Sequence, residues 1–217
     1  MPSPTPSAET TAPQPLTRGH KKRERTRLGL VDAALRLVAR KEVGEIALLE
    51  VAAEAAVSNG TIYNYFRTRD EVLEAVGIAM ATEFSDAISA LSSDIHCGAQ
   101  RLAIGVRMFV CRAADDHQWA NALLRIIHFD QAMRSRLAAH VLGDLREGLR
   151  EGAFAFEDEG IALDMVISCT TGAMRSVVEG RAVAEHDVRV AEMILKALGV
   201  TPARAKKIAS LPLPVRS

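Results

Sequence analysis

Apolar residues recur every three or four positions over most of this chain, the period of one helix face. Leu30, Ala34, Leu37 and Val38 keep that spacing and predict a first helix from 21 to about 40, ended by Gly44. A short Ala-rich helix is predicted over 47 to 55, with Val51 and Ala52 facing inward. Ala56-Val57-Ser58 is then a turn, and Ser58 caps a third helix running through Thr61, Ile62, Tyr63, Asn64, Tyr65 and Phe66. Thr68 stands as the next N-cap, with Asp70 and Glu71 in a first turn that favours acids. The helix it opens, 69 to about 91, carries a stripe of Val72, Leu73, Val76, Met80, Phe84, Ile88 and Leu91. Further helices are expected at about 98 to 113, 117 to 128, 130 to 151, 158 to 179 and 184 to 198, the last ended by Gly199. No segment of any length alternates with the period of a strand.

The expected fold is therefore all-α. Residues 1–17, rich in Pro, Ser and Thr, read as a disordered arm. Residues 18–68 read as a three-helix helix-turn-helix domain, 69–200 as a helical ligand-sensing and dimerisation domain, and 201–217 as a basic tail with Pro202, Pro212 and Pro214.

Composition changes this picture little. Aromatics are 4% of the 217 residues, which leans further toward helices. The net charge of +0 excludes a general polyanion binder, yet Arg18, Lys21, Lys22, Arg23, Arg25 and Arg27 crowd one segment against Glu24 alone. Cations at a helix start oppose its dipole, so helix stability does not explain them, whereas a phosphate partner does. Cys97, Cys111 and Cys169 are far apart and show neither metal spacing nor a disulfide framework. His117, His128 and His140 likewise lack metal spacing, and no cofactor motif is present. No apolar run reaches a membrane span and no signal-peptide stretch opens the sequence, so a cytoplasmic protein with no membrane partner is expected.

Three short helices in about 45 residues, the last two joined by a tight turn, are the parts of a unit that sets its final helix in the major groove of DNA. Asn59, Thr61, Tyr63 and Asn64 offer uncharged hydrogen-bonding groups suited to base edges, and Gly60 lets backbone approach closely. Val51-Ala52, Ala55-Ala56-Val57-Ser58, Asn59-Gly60-Thr61-Ile62-Tyr63-Asn64-Tyr65-Phe66 and Arg69-Asp70-Glu71-Val72-Leu73 together resemble the signature of the TetR family of transcriptional regulators. At motif level the resemblance covers residues 25 to about 75. Beyond that only length and helix order agree. It implies that Asn59, Gly60, Thr61, Tyr63 and Asn64 face the major groove, while Ser58, Tyr65, Arg69, Arg25 and Arg27 touch phosphates. For Tyr65, packing in the small core is an equal alternative. Two positions depart from the family pattern. Ala56 replaces the usual turn Gly, so either the turn avoids positive φ or it is strained. Ala47 replaces the usual Thr cap, leaving Glu45 as a poorer substitute.

For the second domain the resemblance implies a homodimer built on the last two long helices. Gly172 and Ser176 allow close backbone approach there, and Val190, Ile194 and Leu198 form a stripe; packing within the chain is the alternative. Candidate ligand-site residues are Met108, Cys111, Arg112, Trp119, Leu123, Ile127, His128, Met133, Met165, Cys169 and Met174, each open to being plain core. The function implied is that of a dimeric repressor released from a palindromic operator by a small, apolar effector. Two rivals stand beside it. One is a DNA-binding protein of the same fold that does not switch. The other is an enzyme, for which no nucleophile elbow, phosphate loop or metal cluster is present.

Overall fold

The computed structural model describes residues 18–38, 40–41, 45–126 and 131–214, with backbone alone at 18, 20, 125, 126 and 131–137. The described residues form helices and no strand, in the order α1 (Arg18–Val38), α2 (Leu48–Glu54), α3 (Asn59–Tyr63), α4 (Arg69–Leu91), α5 (Gly98–Asp115), α6 (His117–Ile126), α7 (Gln131–Arg150), α8 (Glu159–Val178), α9 (His186–Ala197) and α10 (Pro202–Ala209). The arm expected at 1–17 and the stop at Gly44 lie outside the described residues.

The N-terminal unit closes around one small core of Leu30, Leu37, Ile46, Val51, Ile62, Phe66, Val72 and Val76, drawn from α1 to α4. Polar contacts fix its helices. Glu54 on α2 accepts from Arg36 Nε at 2.8 Å and from Arg40 Nη2 at 2.7 Å, and these two guanidiniums, Arg36 first, hold its carboxyl below the ordinary range. The hydroxyl of Ser58 accepts the Thr61 N–H at 3.2 Å, and that of Thr68 accepts the Glu71 N–H at 3.2 Å, so both predicted caps form. At Ala47 no side chain caps α2. Instead the Glu50 carboxylate accepts the Ala47 N–H at 3.3 Å, and Glu45 takes no part in that bond.

The turn after α2 is strained. Ala56 N–H bonds Ala53 O at 3.1 Å and Val57 N–H bonds Ala52 O at 3.0 Å, the pairing of a helix stop whose central residue is left-handed. Ala56 occupies that place at φ +54°, where a Cβ crowds the following carbonyl. Ala56→Gly is therefore expected to stabilise the protein by about 0.5–1 kcal/mol, the relief of strain exceeding the entropy that Gly adds to the unfolded chain. Urea denaturation of the two proteins checks this, and an unchanged or lower midpoint refutes it.

Helix α4, 23 residues long, leaves the N-terminal core and enters the C-terminal unit. There α5 lies at the centre, packed against α7, α8 and α9. One core joins Leu102, Val106, Leu145, Phe154, Val166 and Leu195, and a second joins Ala81 of α4 to Val110, Leu123 and Met174.

Three sequence expectations are corrected. The third helix ends at Tyr63 rather than Phe66, because Asn64 caps it and Phe66 turns inward to the core. The basic tail from 201 contains α10, whose Ala205, Ile208 and Ala209 are buried against α9 and α5 while its cations face solvent. Arg107 pins that end, pairing with Asp187 at 2.8 Å and donating to the Leu211 carbonyl. Finally, α8 is long and apolar enough to cross a bilayer by length and composition, contrary to the sequence reading. Its apolar character has a local reason, since Ala162, Leu163, Val166, Ala173 and Met174 are core residues.

Candidate DNA-reading face and effector cavity

The small core orients α3 so that Ile62 is buried while Asn59, Gly60, Tyr63 and Asn64 are exposed. A Cβ on Gly60 would meet only Ser58 Oγ, at 4.0 Å, so nothing inside the protein requires the bare backbone there. Thr61 is half-buried, and its hydroxyl shares a 2.8 Å hydrogen bond with that of Ser58, which stiffens the helix start. Tyr65 is half-buried against the core, in line with the packing alternative. The guanidinium of Arg23 lies 5.9 Å from the Tyr65 ring centre, and that of Arg27 lies 5.3 Å from the Phe66 ring centre. These contacts hold two cations of α1 beside the end of α3. Arg25 is exposed, and Arg69 is half-buried at the start of α4. The sequence reading placed Arg23 in the basic block but named only Arg25 and Arg27 of that block as phosphate contacts; the i, i+4 relation of Arg23 to Arg27 was the available signal.

A cavity of about 140 Å³ lies between α4, α5, α6, α7 and α8. Leu102, Val106, Phe109, Leu123, Val166 and Met174 make its apolar wall. Arg101, His140 and Asp144, with Ser85, Ser89 and Thr170, supply polar groups. Arg101 Nε donates to Asp144 Oδ1 at 2.6 Å, and its Nη1 donates to the Ile95 carbonyl at 2.9 Å. Burial pushes the Asp144 carboxyl above the ordinary range, against the opposing pull of Arg101. His140 Nε2 meets Asp86 Oδ1 of α4 at 2.7 Å.

Of the residues expected in a ligand site, the structure brings Leu123 and Met174 to this cavity. Trp119 and Arg112 stand behind it. The Trp119 ring is 6.0 Å from that of Phe109, and Arg112 lies 5.6 Å over Trp119. Cys111 faces Asp187 of α9, and burial pushes its thiol up to about 11. Met165 packs on the C-terminal core, Cys169 is exposed and Met108 is half-buried away from the cavity lining. Ile127 and His128 lie outside the described residues, as does the side chain of Met133. Arg101, His140 and Asp144 were not among the expected ligand-site residues because most of those chosen were soft or apolar side chains, whereas the cavity is defined by which faces of five helices meet.

For the expected dimer face the outcome is mixed. Ile194 and Leu198 are buried in the chain's own core, so the stripe on α9 faces inward, and Val190 packs half-buried beside it. On α8, Gly172 is exposed and Ser176 half-buried. Large apolar side chains left in solvent on these helices are Ile161, 72% exposed, and Met193, 69% exposed. Among the described residues no group of His, Cys, Asp and Glu is placed to hold a metal ion.

Comparison with known proteins gives concordant results. Residues 98–211 match the family described as tetracyclin repressor-like, C-terminal domain, and residues 30–76 match the bacterial regulatory proteins of the tetR family. The HTH-type transcriptional regulator LuxR of Vibrio harveyi is 35% identical over 83 residues, 35% of this chain and 40% of that protein. An uncharacterised HTH-type regulator of Haemophilus influenzae is 44% identical over 45 residues, 21% of this chain and 24% of that one. The alignments thus span less than half of either relative. The crystal structure of RolR with the ligand resorcinol superposes with a TM-score of 0.74 at 27% identity, covering 91% of this chain and 99% of that one. FadR of Bacillus subtilis with stearoyl-CoA shares the fold at a TM-score of 0.54 and 19% identity, over 81% and 98% of the two chains.

Proposed function

This chain belongs to the TetR family of transcriptional regulators, and from that we propose that it acts as a homodimeric, cytoplasmic repressor, without enzymatic activity, that leaves a palindromic operator when a small effector fills the cavity between α4 and α8. The observation that carries the DNA half of this reading is the exposed polar surface of α3, flanked by Arg23 and Arg27. Asn59, Gly60, Thr61, Tyr63 and Asn64 would meet base edges, and Ser58, Arg25, Arg27 and Arg69 would meet phosphates. Two such helices related by a two-fold axis read half-sites about 34 Å apart. The solvent-facing Ile161 and Met193, with Gly172 on α8, support a mate docking on α8 and α9.

The cavity lining supports an effector that is largely apolar. Effectors of related proteins do not choose among classes, since RolR is seen with resorcinol and FadR with stearoyl-CoA. Coupling would run along α4, whose first residue is Arg69 and whose Ala81, Ser85, Ile88 and Ser89 line the cavity. An effector shifts the protein only by its difference in affinity for the DNA-fitting and the released conformers.

Fluorescence anisotropy with DNA from upstream of the protein's own gene, near physiological salt, tests the reading. A preference of about a thousandfold over scrambled DNA is expected, and equal binding to both contradicts a sequence-reading repressor. In the same assay, replacing Arg25 and Arg27 with alanine is expected to reduce the slope of log affinity against log salt by about 2 per protomer. An unchanged slope removes these residues from the phosphate contacts.

A further inference from the structure

Resting on the reading that the effector occupies this cavity, we propose that the Arg101–Gly105–Phe109 face of α5 makes it a site for one uncharged, hydroxylated aromatic ring, a phenol in chemical class. The three residues stand four apart, so they fall on one side of the helix at steps of about 6 Å. All three line the cavity. Arg101 supplies a polar end, Gly105 a slot and Phe109 a wall.

The slot is the first particular. A Cβ on Gly105 would meet no heavy atom within 4 Å, so no neighbouring side chain demands glycine at this place. Glycine in a helix interior costs about 1 kcal/mol relative to alanine. What the missing side chain leaves is free volume facing the cavity, over which a flat ring can lie against backbone. The volume of about 140 Å³ is close to that of apolar cavities that take up benzene, about 150 Å³. A single ring matches that volume, whereas a long acyl chain would have to extend beyond it.

The wall is rigid. Phe109 stands edge-on to Phe84 at 4.9 Å and 83°, and Phe84 is edge-on to Trp119 at 5.3 Å. Met174 adds a polarisable thioether to the lining. The polar end is also fixed, because the carbonyls of Ile95 and His96 hold Arg101 while it pairs with Asp144. The pair is neutral as a unit. A neutral hydroxyl can donate to the Asp144 carboxylate in a charge-assisted bond. An ionised carboxylate or ammonium would bring an uncompensated charge into the same place.

Calorimetric titration of the full-length protein with phenol, benzene, benzoate and laurate tests the inference, with Trp119 fluorescence as a parallel readout. Phenol is expected to bind at least tenfold more tightly than benzene, and benzoate and laurate at least tenfold more weakly than phenol. Gly105→Leu, which fills the slot, is expected to weaken phenol binding at least a hundredfold while its melting temperature stays near that of the parent. Gly105→Val serves if the leucine variant melts early. Benzene binding as well as phenol, or no binding of phenol, overturns the ligand class. Tight binding of benzoate or laurate that Gly105→Leu abolishes also overturns the class, yet leaves the cavity as the effector site. Phenol binding that neither Gly105 variant alters places the ligand elsewhere and removes both readings.

Discussion

Replacing Phe66 with alanine is expected to remove operator binding and to destabilise the N-terminal unit by about 3–5 kcal/mol. The ring is 2% exposed and closes a core that also holds Leu30, Ile62 and Val72. Truncation leaves a void where three helices converge, and so small a core has little capacity to refill it. The same ring carries the Arg27 guanidinium at 5.3 Å, and the Phe66 N–H bonds the Ile62 carbonyl at 2.9 Å just beyond α3. The backbone bond survives the substitution, but the ring that packs beneath α3 and beside the Arg27 cation is lost. Anisotropy with operator DNA and a two-probe thermal melt measure the two effects. A variant that keeps operator affinity within about twofold would show that α3 is held by other contacts.

A second large effect is expected at the crossing of α5 and α7. A Cβ on Gly98 would lie 2.6 Å from the Asp144 carbonyl oxygen and 2.6 Å from the Gly148 nitrogen. Both atoms are backbone, so the contact is relieved only by moving a helix. Gly98→Ala is expected to cost about 2–3 kcal/mol and to lower the melting temperature by about 6–10 °C. The displacement would act on the cavity as well, because Arg101 and Asp144 sit on the two helices being pushed apart and pair at 2.6 Å. A melt within a degree of the parent would mean that the crossing yields easily. Gly148 is constrained separately, since a Cβ there would run into the ring of Phe154 in the loop after α7.

Much of the fold was legible from the chain because helix starts and stops are written in local chemistry. Ser58 and Thr68 cap as expected, and Gly199 ends α9 at φ +100° where a Cβ would crowd Ala155. The inward turn of Ile62 and the exposure of Asn59, Gly60, Tyr63 and Asn64 were legible too, since spacing determines which side of a short helix is exposed. Where two distant faces must meet, the sequence was a poorer guide. The stripe Val190, Ile194 and Leu198 announces a buried face without naming its cover, and the cover of α9 is this chain's own α5, α8 and α10. The cavity joins Arg101 to Asp144 across 43 positions, a pairing no periodicity discloses. The segment from 201 was misjudged for a different reason. Its prolines and lysines suggested a tail, although Thr201 followed by Pro202 is itself a helix start and Ala205, Ile208 and Ala209 form one apolar side.

The uninterrupted run of α4 has a mechanical consequence. Twenty-three residues at 1.5 Å each give a rod of about 35 Å. Pivoted at its C-terminal end, where Ser92 lines the cavity, such a lever magnifies angle into travel, and a tilt of about 5° carries its far tip about 3 Å. That travel is close to the rise of one base pair along B-DNA, about 3.4 Å, so a change too small to see at the cavity would be enough to put a recognition helix out of step with its half-site.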